Sequence, residues 1–146
     1  MSFRYEDLIH LDAESLAEQD ILKAYRNLRP HLVRLGVEPA EMKEETDEYA
    51  SYYSVSFGKR KFEVYSPELE ADGWNSWGRA PFALFKIINL QLRGKPQRLY
   101  AVGGANDLAG IFLMQSEAKK IRRAWSRPQD WPYLPKVEMP WYGQFH

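Results

Sequence analysis

The order of hydrophobic periods along the chain limits its fold more than any other feature. Apolar residues recur at helical spacing, then at strand spacing around a glycine, and the pair of patterns repeats before a last helical stretch. Ile21, Tyr25, Leu28, Leu32 and Leu35 share one helical face, predicting a helix over residues 15–35. Ser15 and Glu18 have the spacing of a capping box, and Gly36 suits its end. Pro30 removes one backbone bond, so a kink or split is expected near residues 27–29. A shorter turn is expected at residues 5–10. Residues 37–49 are acidic without an apolar stripe and read as a loop, with a helical turn at 40–45 as an option.

Tyr53, Val55 and Phe57 alternate with serines, and Phe62 and Val64 alternate with polar residues beyond Gly58. That is a hairpin. Residues 68–79 read as a loop. Pro81 fits the first position of a second helix whose stripe is Phe82, Phe85, Ile88 and Leu92, widened by Leu84 and Ile87. Residues 99–102 and 108–114 form a second hairpin across a Gly-Gly-Ala-Asn-Asp turn. Ser116 is the expected cap of a last helix, with Ala118, Ile121 and Trp125 facing inward. The reading is an α+β fold in α-ββ-α-ββ-α order, a small antiparallel sheet of two hairpins with helices packed on it. Its 146 residues suit one domain. Residues 126–146, rich in proline and aromatics, are expected to pack on it as a tail.

Composition closes several routes to chemistry. There is no cysteine, which excludes disulfides, thiolate metal sites and thiol nucleophiles. His10, His31 and His146 show no metal-ligand spacing, and no phosphate-cradling glycine motif or serine-hydrolase elbow is present. No cofactor, metal or catalytic residue is assigned. Met1 to Asp7 lacks the pattern of a secretory signal, and no apolar run approaches a membrane span. The expectation is a cytoplasmic protein that binds neither membrane nor nucleic acid.

Net charge is zero but unevenly spread. Residues 38–72 carry ten acids against four bases, a balance of −6, and residues 73–146 carry eleven bases against four acids, a balance of +7. Glu41, Glu44, Glu45, Asp47 and Glu48 form the acidic cluster, and Lys119, Lys120, Arg122 and Arg123 the basic one. Either is a solvated face or a patch that steers a partner of opposite charge. Trp74, Trp77, Trp131 and Trp141 are core caps on one reading and exposed anchors on another.

Asn75-Ser76-Trp77-Gly78-Arg79-Ala80, Phe82-Ala83-Leu84-Phe85-Lys86-Ile87-Ile88-Asn89, Tyr100-Ala101-Val102-Gly103-Gly104-Ala105-Asn106-Asp107-Leu108, Ile111-Phe112-Leu113 and Asp130-Trp131-Pro132-Tyr133-Leu134-Pro135 resemble bacterial immunity proteins. These are small antidotes to polymorphic toxins, including those of contact-dependent growth inhibition. The resemblance implies a non-enzymatic protein that binds one cognate toxin domain and blocks it. Hairpin edges can pair between copies, so the expectation is a monomer or a homodimer. The candidate contact residues are Glu41, Glu44, Glu45, Asp47, Glu48, Asp72 and Trp74. If the toxin is a nuclease, the acidic run would fill its basic cleft in place of phosphate. The alternatives are a small enzyme whose site gathers scattered carboxylates with His10 or His31, and a regulatory adaptor.

Overall fold

A computed structural model describes residues 4–47, 49–70 and 76–146. It is an α+β fold with two antiparallel sheets of three strands each, rather than one sheet built from both hairpins. In the first sheet β1 (Ile9–His10) pairs with β6 (Ala109–Met114), which pairs with β5 (Gln97–Val102). In the second, β2 (Met42–Asp47) pairs with β3 (Tyr52–Phe57), which pairs with β4 (Arg60–Tyr65). Each hairpin recruits its own third strand, so the two do not join.

Among the described residues the α-helices are α1 (Ala13–Ser15), α2 (Ile21–Arg34), α3 (Pro67–Glu70), α4 (Ser76–Gln91) and α5 (Gln115–Ala124). Asp12, not Ser15, caps α1: its Oδ1 accepts from Glu14 N at 3.0 Å, while Ser15 lies in the right-handed helical region. The expected single helix breaks before Ile21, where Gln19 takes φ 77° and Glu18 leaves helical geometry. Across Pro30 the helix continues. Its stripe Ile21, Tyr25, Leu28 and Leu32 is buried. Residues 42–47, read as loop, are strand β2. Pro81 lies inside α4, which starts earlier at Ser76, and α3 occupies part of the expected 68–79 loop. Ser116 does not cap α5; Glu117 Oε1 accepts from Met114 N at 2.8 Å instead.

Helix α4 is the centre of the core, with Ala80, Ala83, Leu84, Ile87 and Ile88 almost wholly buried. The first sheet is apolar on both faces. Leu99 and Ala101 face the main core, while Tyr100, Ile111 and Leu113 form a second cluster with Ala118 and Ile121 of α5. Burial on both faces explains why β5 and β6 read as nearly continuous apolar runs.

The tail returns to this sheet. Ala101 N donates to Tyr133 O at 2.7 Å and Tyr133 N to Ala101 O at 2.9 Å, a bridge on the free side of β5. The Asn89 side chain serves Leu99 in the same way, accepting from Leu99 N at 2.7 Å and donating to Leu99 O at 3.0 Å. Together they close an edge that would otherwise offer unpaired backbone groups.

Candidate partner-binding surface

The second sheet keeps an open edge, and the acidic run forms it. All six residues of β2 pair with β3, from Met42 opposite Phe57 to Asp47 opposite Tyr52. Strand β2 is outermost in its sheet. Its alternation turns Met42 into the core, and the rest of the strand is exposed. A strand with one buried residue is an edge strand, and charge on it discourages uncontrolled pairing.

Both ends of the strip are tied down. Ala40 N donates to Gln91 Oε1 at 2.8 Å, and the Tyr25 hydroxyl donates to Ala40 O. At the far end Asp47 Oδ1 accepts from Tyr49 N at 3.0 Å and Ala50 N at 3.2 Å. In the middle, the buried Tyr53 hydroxyl donates to Glu44 Oε2 and accepts from Ile21 N at 3.2 Å. Burial, followed by the Glu44 carboxylate, pushes the Tyr53 hydroxyl well above the ordinary tyrosine value, so it stays a donor. Glu45 pairs with Lys61 at 3.3 Å, a solvent-exposed contact that contributes little stability. Among the described residues Glu41 has no ion-pair partner.

Glu44, Glu45 and Asp47 are therefore brought together along one edge, with Glu41 immediately before it. Glu48, Asp72 and Trp74 lie outside the described residues. Sequence reasoning missed Tyr53, which positions Glu44; its register on the neighbouring strand carries no local signal.

The histidines do not meet. His31 stacks on Phe112 with ring centroids 5.4 Å apart, and His146 on Trp141 at 3.7 Å. His10 lines a shallow cleft of about 240 Å³ with Asp12 and Asp20. Asp12 Oδ1 in that cleft also accepts from Asn106 Nδ2 at 3.0 Å. Among the described residues no group of histidines and carboxylates is arranged to hold a metal ion, and no helix is long and apolar enough to cross a membrane.

The aromatics divide. Trp77 and Trp131 are half-buried, with Trp131 Nε1 donating to Trp125 O at 2.8 Å, whereas Trp141 is 53% exposed. Tyr133 is buried, its hydroxyl donating to Gly103 O at 2.6 Å, and burial pushes that hydroxyl up to about 12. The chain matches no family model, no curated protein and no solved structure.

Proposed function

We propose that this chain is the immunity partner of a protein toxin, acting in the cytoplasm by binding the toxin domain through the acidic edge of β2. The observation that carries the reading is that edge itself: Glu44, Glu45 and Asp47 stand on a strand held at both ends and otherwise exposed, and Glu41 immediately precedes it. Such a strip loses little entropy on docking and speeds encounter with a basic surface. Against a nuclease, its carboxylates would occupy the cleft that takes phosphate. The free backbone groups of β2 add the means to extend the partner's sheet.

The test is co-expression with a toxin domain encoded beside the gene, scored by survival and by complex formation. Glu41→Lys with Glu45→Lys avoids the Tyr53 contact, so the fold should melt as the parent does. Binding should weaken by about 100-fold, since close charge pairs at interfaces couple by a few kcal/mol. Unchanged affinity, or no rescue by the parent chain, removes the reading.

A second reading has its own observation. The cleft of His10, Asp12 and Asp20 sits beside backbone forced into the left-handed region at Asp12 (φ 58°) and Gln19 (φ 77°), and strain of that kind gathers at reactive sites. It favours a small acid–base enzyme in which His10 and Asp20 act. In the same assay, protection lost with His10→Ala and Asp20→Asn, yet kept by the β2 variant, selects the enzyme.

A further inference from the structure

A second charged surface shares no lining residue with the β2 edge. A cleft of about 410 Å³ runs between the later turns of α4 and residues 134–136, and Lys86, Arg93, Arg98 and Lys136 line it without any carboxylate. Arg98 is already committed. Its Nη1 donates to Leu92 O at 3.0 Å, Lys95 O at 2.8 Å and Gln97 O at 2.7 Å, tying together the turn from α4 into β5. Lys86, Arg93 and Lys136 are exposed, and among the described residues none of the three is in an ion pair. Between the cations the lining is apolar: Leu90 is half-buried and Leu134 is 44% exposed.

We infer that this cleft binds an acidic segment of another protein, with carboxylates on the cations and an apolar side chain against Leu90 and Leu134. Charge complementarity fixes the sign of the occupant, and the apolar lining between the cations fixes its kind. Lys86 stands on α4, Arg93 in the turn that follows it and Lys136 on the tail, so the cations come from three segments. A free phosphate group would leave Leu90 and Leu134 without a partner. The inference does not depend on the toxin reading, since it uses a different surface.

The experiment measures fluorescence anisotropy of a labelled peptide, Gly-Glu-Leu-Asp-Glu-Leu-Asp-Gly, against the full chain. Saturable binding is expected, weakened about tenfold or more by Arg93→Glu with Lys136→Glu, both exposed and so compatible with an unaltered melt. Leu134→Ser should weaken it without changing charge. Lys119→Glu with Lys120→Glu on α5 should leave it unchanged. The proposal fails if the peptide does not bind, or if the α5 variant weakens binding as much, which is general cationic attraction. It also fails if inorganic phosphate or ATP competes as well as the unlabelled peptide, which marks a phosphate site. Concentration-dependent self-association abolished by Glu44→Lys with Glu45→Lys would make a second copy of the chain the occupant, and overturns it too.

Discussion

At the scale of single residues, polar side chains do their work where backbone groups would otherwise stay open. Asn89 stands in for a neighbouring strand at Leu99, and Tyr53 joins the start of α2 to β2. His31 works differently, because its charge opposes the fold. Burial first, then the nearby Arg34, hold its pKa below the ordinary 6.5. The folded state prefers the neutral ring, so as pH falls through 6.5 the unfolded chain takes up the proton first. This group costs nothing above that pH and destabilises increasingly below it. His31→Phe retains a ring against Phe112 and removes the proton. Its melting temperature should therefore decline less than the parent's between pH 6.5 and about pH 5, with near-equal values at about pH 8. Parallel curves for the two proteins would show that His31 is not the linked group.

At the scale of elements, α2 carries an avoidable defect. Pro30 sits inside the helix and is exposed, so one backbone bond is missing with no packing gained. Pro30→Ala should stabilise the protein by about 1–3 kcal/mol, seen as a higher urea midpoint; a lower one would mean that the ring restricts the unfolded chain more than it harms the helix. The break lies at Glu18 and Gln19 rather than before Pro30, because the backbone kinks there and no proline or glycine marks the change. Periodicity made α2, α4 and both hairpins legible, since each buries a stripe or a face of its own. It could not show β2, which buries only Met42, because an edge strand with one inward side chain has almost no apolar signal. For the same reason the carboxylates of the candidate site could be named as a cluster but not as a strand edge. Two sheets instead of one were out of reach as well. Which strand joins which hairpin depends on contacts distant in sequence, and neither hairpin carries a mark that it will accept β1 or β2.

At the scale of the whole molecule, the two sheets are finished in opposite ways. The first is apolar on both faces, covered by α5 and closed along β5 by Tyr133 and Asn89; the second leaves β2 open and charged. The tail belongs to the first arrangement. Lys136 N donates to Tyr142 O at 2.8 Å, and Gln144 Nε2 to Gln129 O at 3.0 Å. The Tyr142 ring lies so close to Gly78 that a Cβ there would come within 2.1 Å of it, so only glycine on α4 admits this contact. Beside it a cleft of about 340 Å³ is bounded by Trp77 and Pro81 from α4 and by Trp141 from the tail. Deleting residues 140–146 removes the Tyr142 ring and uncovers this apolar wall. The loss of two packed aromatics, Tyr142 on Gly78 and Phe145 on Trp131, about 2–4 kcal/mol, should lower the melting temperature by about 6–12 °C and raise binding of a hydrophobic dye. Binding through β2 should persist, because the truncation touches neither that sheet nor its anchors at Ala40 and Asp47. An unchanged melt with lost partner binding would reverse the assignment, making the tail aromatics the contact surface and β2 the bystander.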